Sequence, residues 1–356
     1  MLHRSRCVVP VIAKLSLALT LGLSGGCQPS PRTVQGAGAT FPAPLYVWWA
    51  TAYRPVSGVT VEYEAVGSGG GVQRILAKSA DFGATGMPLT PAQLGQAGLY
   101  QFPTVIGGVT PIVNLPGILP GELKLTGPLL GDIFLGAVTR WSDRRIAALN
   151  PGLKLPADPI VVVRRSDSSG STFLFTSYLS LVNPAWKARV GPGDTVAWPV
   201  GLAADGAREL ASVVRQHVGA IGYVEYGAFS RNFTFVQLQD RDGVFIPPAP
   251  DTFEAAAAGA DWTGSEANDV LLLNEPGARS WPITGASFVL VYERPPNPPN
   301  TRQTLAFFDW AYRTGDAAAV RMGYAPLPAV VKDLVRRRWA ANIKDAAGRP
   351  LYTPAP

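Results

Sequence analysis

Residues 159–181 constrain the fold most. Pro159-Ile160-Val161-Val162-Val163 is a short β-branched run of the kind that fills a buried strand. Residues 173–181 form an apolar run long enough for a helix. Between them lies Arg164-Arg165-Ser166-Asp167-Ser168-Ser169-Gly170-Ser171-Thr172, a polar turn rich in small hydroxyl side chains. Strand, short turn and helix make the building unit of an α/β fold. A helix opening after Ser-Gly-Ser leaves several N–H groups unpaired in its first turn. Those donors, the hydroxyls and the positive end of the helix dipole favour an anion. Arg165 adds a planar fork of donors suited to a tetrahedral oxyanion. An N-capped helix beside a surface ion pair accounts for the same residues equally well.

Two further helix starts read in a similar way. Gly36-Ala37-Gly38-Ala39-Thr40-Phe41-Pro42-Ala43-Pro44 leads into an aromatic helix over 45–53, with Thr40 as its expected cap and Pro42 in its first turn. A strand over 59–66 enters Gly67-Ser68-Gly69-Gly70-Gly71, with a helix expected over 72–77. That plan suits a backbone anion cradle, but no Gly-Lys-Ser/Thr follows, so it is not a Walker A loop. Further strands are expected over 101–113, 219–226 and 287–292, a loop over 294–300, and amphipathic helices over 304–312 and 329–341. Arg336-Arg337-Arg338 reads as the solvated face of the last helix. Strands and helices alternate throughout without an internal repeat, which sets the class as α/β.

Composition excludes several chemistries. Residues 1–26 combine Arg4, Arg6 and Lys14 with an apolar stretch and small residues before Cys27, the pattern of an export signal. Leu23-Ser24-Gly25-Gly26-Cys27 is an imperfect lipoprotein cleavage site, so lipidation of Cys27 and simple secretion both stand as expectations. Three of the 31 Lys and Arg and none of the 25 Asp and Glu fall in the signal, which leaves about +3 for the remainder. No basic stripe with interleaved aromatics is present, so no nucleic-acid partner is expected. The two cysteines, Cys7 and Cys27, lie in the signal and at its cleavage site, leaving no disulfide for the mature chain. His217 is the sole histidine beyond the signal, expected at a surface or helix end. No His/Cys metal cluster is possible, and neither a metal nor a cofactor is expected.

Taken together these stretches resemble the periplasmic phosphate-binding protein of the ABC-type phosphate uptake system, the PstS family. The residues that carry the resemblance are 36–44, Asp81-Phe82-Gly83-Ala84, Gln101-Phe102-Pro103-Thr104, 164–172, Gly219-Ala220-Ile221-Gly222-Tyr223-Val224-Glu225-Tyr226, Phe307-Phe308-Asp309-Trp310-Ala311-Tyr312 and Asn342-Ile343-Lys344-Asp345. The resemblance implies an α/β, two-lobe periplasmic-binding-protein fold of type 2, with a two-strand hinge and the ligand in the interlobe cleft. It implies a signal peptide over 1–26, a tether over 27–33, a first lobe over 34–113 and 286–356, and a second lobe over 114–285. The implied phosphate contacts are Thr40, the N–H of Phe41, Ser68, Arg165, Ser169, the N–H of Gly170, and Ser171, with Asp167 holding Arg165. The implied partners are inorganic phosphate, an inner-membrane ABC permease and, if Cys27 is lipidated, membrane lipid. The chain is then an exported periplasmic monomer, not an enzyme.

One position departs from the family pattern. Gly86 stands where the family carries an aspartate that accepts a hydrogen bond from a phosphate proton. Hydrogen phosphate can donate such a proton and sulfate cannot, so a buried carboxylate discriminates by about 2–5 kcal/mol. Three readings stay open: another acceptor (a backbone carbonyl, Asp81 or a water), weaker phosphate binding with relaxed rejection of sulfate, or a changed oxyanion. Two other functions compete with transport. A phosphate-ester hydrolase would use Ser169 or Ser171 as nucleophile without an evident base. A surface lipoprotein would retain the fold without transport.

Overall fold

The computed structural model describes residues 33–229 and 233–354. The signal over 1–26, the tether to residue 32 and Cys27 lie outside them. The first part of the chain forms β1 (Thr33–Gly38), α1 (Ala43–Ser57), β2 (Thr60–Ala65), α2 (Gly67–Leu76), β3 (Phe82–Thr85), α3 (Pro91–Ala97) and the long β4 (Leu99–Val113). The middle forms β5 (Lys124–Leu125), α4 (Gly127–Phe134), α5 (Arg144–Leu149), β6 (Val161–Arg165), α6 (Gly170–Val182), α7 (Pro184–Arg189), β7 (Leu202–Ala204), α8 (Gly206–Gln216) and β8 (Ala220–Glu225). It continues through α9 (Tyr226–Phe229), β9 (Thr234–Phe235), β10 (Gln237–Gln239), β11 (Phe245–Ile246) and α10 (Pro250–Ala258). The last part forms β12 (Thr284–Tyr292), α11 (Pro298–Thr314), α12 (Asp316–Arg321) and α13 (Ala329–Asn342).

The strand order β2-β1-β3-β12-β4-β8-β6-β7 makes the two lobes share one strand. Residues 99–108 of β4 pair antiparallel with β12, which in turn pairs with β3 of the first lobe. Residues 109–113 pair antiparallel with β8 of the second. A second crossing runs alongside at Ile283 and Thr284, where the Val109 N–H donates to the Ile283 carbonyl at 2.9 Å. Trp281, fully buried, donates its indole N–H to the Val109 carbonyl at 3.0 Å. Two adjacent backbone segments therefore link the sheets. In each lobe β1–β2 and β6–β8 are parallel pairs, so helices α1, α2, α6 and α8 start near the strand ends that face the other lobe.

Phe308 of α11 shows how the first lobe is packed. It is fully buried, with the rings of Tyr46, Phe82, Phe102 and Phe307 at centroid distances of 5.4, 5.4, 5.6 and 4.9 Å. Phe308→Ala is expected to destabilise the protein by about 3–5 kcal/mol through lost burial and a residual cavity. Urea denaturation checks this, and a loss below about 1 kcal/mol would show that the cluster collapses around the gap.

Three sequence expectations are corrected. The glycine run 67–71 is not a turn before a helix but the opening of α2 itself. A Cβ at Gly71 would lie 2.4 Å from the Ala84 carbonyl oxygen and 2.6 Å from Gly38 Cα, so close packing of α2 on the sheet requires glycine there. The 294–300 segment is partly helical, because Asn297 accepts from the Asn300 N–H and starts α11 at Pro298. The 336–338 run is not a uniformly solvated face. Arg336 pairs with Asp309 at 2.7 Å and Asp333 at 3.0 Å, and Arg338 donates to Ser265 and Asn268, leaving Arg337 exposed. Asp309 of α11, Asp333 of α13 itself and the loop residues Ser265 and Asn268 supply those partners.

Candidate anion-binding site

A small cavity of about 20 Å³ lies between the lobes. From the first lobe it is lined by Thr40 and Phe41 after β1, Gly67 and Ser68 at the start of α2, and Gly86 after β3. From the second it is lined by Arg165 at the end of β6, Ser169, Gly170 and Ser171 at the start of α6, and Glu225 at the end of β8. Each of these is a strand terminus or helix start facing the opposite lobe, the position where an open α/β sheet exposes unpaired backbone donors.

The Arg165 guanidinium is oriented by local geometry. β6 delivers it into the cleft, and Asp167, two residues on, meets it side-on: Nε to Oδ1 is 2.6 Å and Nη2 to Oδ2 is 2.5 Å. Gly206 fixes the carboxylate in turn, its N–H donating to Asp167 Oδ1 at 3.0 Å. Nη1 makes no hydrogen bond among the described residues, so one arm of the fork remains for a ligand. Arg165 is only 3% exposed. Burial alone would lower its pKa, but the Asp167 hydrogen bond and the nearby Glu225 and Asp167 carboxylates push it above the ordinary value. For Asp167, burial works upward, and the bonds and charge from Arg165 with the Gly206 N–H outweigh it, setting its pKa below the ordinary 3.8. A depressed carboxylate pKa means that the pair's contribution is present above 3.8 and is lost as pH falls through the lower folded value. A carbon NMR titration of the Asp167 carboxyl is expected to show a midpoint below 3.8, and a midpoint at or above it would contradict the pairing.

The start of α6 meets the first lobe directly. Ser169 is the N-cap, accepting from the Thr172 N–H at 3.4 Å. The Gly170 N–H crosses the cleft to Ser68 Oγ at 3.1 Å, and the Gly86 N–H reaches the same oxygen at 3.0 Å. Ser171 donates its hydroxyl to the Glu225 carboxylate. Tyr223, buried beneath, shares a 2.7 Å hydrogen bond with Thr172 and accepts from the Arg165 N–H at 3.3 Å, tying β6, α6 and β8 together. Thr40 is not the cap of α1. The helix opens after Pro42 without a side-chain cap, so the Thr40 hydroxyl is left at the cavity.

Gly86 has a physical reason to be small. Its φ is not in the left-handed region. A Cβ placed there would come within 3.2 Å of Gly170 Cα, so the two lobes approach backbone to backbone. Asp81 does not take over as an acceptor in the cavity. Its carboxylate accepts from the Gln35 N–H at 2.8 Å and from Asn300 at 3.0 Å, away from the lining residues. Among the described residues no group of carboxylates, histidines or cysteines could hold a metal ion, and no helix is long and apolar enough to cross a membrane. His217 is exposed at the end of α8, with Nδ1 against the Val213 carbonyl.

The comparisons with known proteins agree with this architecture. A model of the PBP superfamily domain matches residues 26–314. A phosphate-binding protein PstS from Haemophilus influenzae is 46% identical over 327 residues, covering 92% of this chain and 97% of the relative. The chain belongs to the PstS family of phosphate-binding proteins. A more distant member, from the archaeon Methanocaldococcus jannaschii, is 32% identical and covers 90% of each chain. Among solved structures, a phosphate-binding protein from Stenotrophomonas maltophilia superposes with a TM-score of 0.71 at 22% identity, covering 90% of this chain and 98% of that one. A DING protein gives 0.71 at 20% identity, with 90% and 99% covered. Both share the two-lobe fold.

Every residue expected from the sequence to touch the ligand, Thr40, Phe41, Ser68, Arg165, Ser169, Gly170 and Ser171, lines the one cavity, as does Gly86. Asp167 stands behind Arg165 and is not a lining residue. Two participants were missed. Glu225 ends a buried strand and is its one charged residue, and an acidic residue at such a buried end was the available signal. Tyr324 donates to the Phe41 carbonyl at 2.7 Å and packs edge-on to the Phe41 ring, and nothing near it in sequence indicated that role.

Proposed function

We propose that this chain is the substrate-binding component of an ABC-type phosphate importer and that it captures inorganic phosphate by hinge closure. The observation that carries the reading is the small interlobe cavity lined by one carboxylate-pinned arginine and the first turn of α6. A dehydrated tetrahedral anion in such a site is balanced by fixed dipoles and one compensated cation. Contacts drawn from both lobes make the ligand favour the closed arrangement by its differential affinity for it. The proposed contacts are Thr40, Phe41, Ser68, Arg165, Ser169, Gly170 and Ser171. The proposed hinge lies at the two adjacent crossings, within β4 near Val109 and beside it at Ile283 and Thr284, with the lobes divided as 34–113 with 286–356, and 114–285. Calorimetric titration of phosphate-stripped protein is expected to give a dissociation constant at or below about 1 μM, equivalent to about −8 kcal/mol. Absence of heat with phosphate would overturn the reading.

A hydrolase has one observation in its favour: the Ser171–Glu225 hydrogen bond has the form of a nucleophile with a base. Against it, no histidine and no metal-ligating group stands among the described lining residues to assist a leaving alkoxide. A chromogenic phosphate ester is expected to show no turnover. We further propose that the mature protein is a periplasmic monomer tethered through lipid on Cys27 and that it delivers phosphate to an inner-membrane permease. Mass spectrometry of the native N-terminus tests the lipid.

A further inference from the structure

Two serine hydroxyls line the cavity, one from each lobe, and their partners give them opposite polarity. Ser68 Oγ accepts from two N–H groups, Gly86 at 3.0 Å and Gly170 at 3.1 Å, so both lone pairs are used and its proton remains to be donated. Ser171 Oγ is the reverse. An ionised carboxylate only accepts, so Ser171 must give its single proton to Glu225, and what it turns toward the cavity is a lone pair. Both members are buried, Glu225 at 2% and Ser171 at 6% exposed, and both line the cavity. Glu225 is also the single carboxylate among the described lining residues. The rest of that wall presents donors: Arg165 Nη1 and the opening of α6.

We propose that the Ser171–Glu225 pair is the proton-reading element of this site. In it Ser171 Oγ accepts a hydrogen bond from a protonated tetrahedral oxyanion and Glu225 acts as the positioning residue that locks the hydroxyl in the accepting orientation. The inference rests on the phosphate-receptor reading and deepens it. Gly86 offers no side-chain acceptor, and backbone contact with Gly170 leaves little space for a side chain there. The acceptor has moved to the opposite lobe. Hydrogen phosphate carries the proton that satisfies this lone pair. Sulfate carries none near neutral pH and would bring two acceptors face to face in a dry cavity. An unsatisfied buried polar contact of that kind lowers affinity by about 10- to 100-fold. The pair needs no proton transfer, since the ligand's O–H, the Ser171 O–H and the carboxylate form one chain of hydrogen bonds with every proton retained.

The test is calorimetric titration of phosphate and then sulfate into the phosphate-stripped wild type, Ser171→Ala and Glu225→Leu. Wild type is expected to prefer phosphate by about 100-fold or more. Ser171→Ala removes the lone pair, and Glu225→Leu frees the hydroxyl to donate. Each is expected to cut the phosphate-to-sulfate ratio at least about tenfold, with sulfate affinity rising in Glu225→Leu. A purely structural role would weaken both anions alike and leave the ratio unmoved, and that result in Ser171→Ala overturns the proposal even if Glu225→Leu fails to fold. Wild type binding sulfate as tightly as phosphate overturns it too, while leaving an oxyanion receptor in place. Wild type binding neither anion overturns the receptor reading itself.

Discussion

Arg165→Ala is expected to lower phosphate affinity by about a thousandfold and to destabilise the second lobe at the same time. The guanidinium is almost completely buried and is the cation that holds two carboxylates, Asp167 by two hydrogen bonds and Glu225 by proximity. Removing one member of a buried pair strands the other and typically costs about 3–5 kcal/mol. Here the figure belongs toward the lower end, because the Asp167 side chain retains 24% exposure and is partly screened. Binding suffers more than stability, since the anion loses the one side-chain cation among the described lining residues and meets two carboxylates without compensation. Arg165→Lys separates charge from shape. A point charge on a flexible stem cannot make the paired contact to Asp167 and still keep a donor aimed at the cavity, so it is expected to recover part of the stability and little of the affinity. Calorimetry with phosphate and thermal unfolding of both variants check this. An Arg165→Ala affinity within about tenfold of wild type would show that the helix starts alone bind the anion.

Gly170→Ala is expected to abolish closure while leaving the fold intact. A Cβ at this position would lie 2.6 Å from Gly86 Cα and 2.8 Å from Ser68 Oγ, nearer than a methyl group can approach backbone. The obstruction is across the cleft, not within the lobe. Inside α6 alanine is the better residue by up to about 1 kcal/mol, so the second lobe itself is not weakened. The methyl therefore acts as a wedge between lobes. It breaks the Ser68 bridge and holds the α6 donors away from the first-lobe half of the site. Phosphate affinity is expected to fall by about 100-fold or more, since each of several contacts is worth about 1.5–3 kcal/mol when charge-assisted. Small-angle scattering gives the second readout: wild type compacts with phosphate and Gly170→Ala does not. Equal compaction in both would show that the Gly86–Gly170 approach is not needed for closure.

The βα unit at 161–182 was legible because its determinants are local. A β-branched run, a hydroxyl cap and an apolar run lie within a few residues of one another, and the Arg165–Asp167 pair spans one turn. Alternation of such units carried the α/β class, and the resemblance supplied the two lobes. Other features depend on which strands lie side by side. Gly86 and Ser68 are 18 residues apart, Ser68 and Gly170 are 102, and Ser171 and Glu225 are 54. No periodicity encodes that a hydroxyl at 68 will use both lone pairs or that one at 171 will give away its proton. For the same reason the glycine run opening α2 and the tethered Arg338 of α13 were misread: the first turns on close approach to β1 and β3, the second on a distant loop. The chain by itself determined the chemistry available, a fork, hydroxyls and helix starts without a cluster of histidines or cysteines. Tertiary packing decided the direction of each hydrogen bond at the cavity, because a hydroxyl takes its polarity from whatever the fold places beside it.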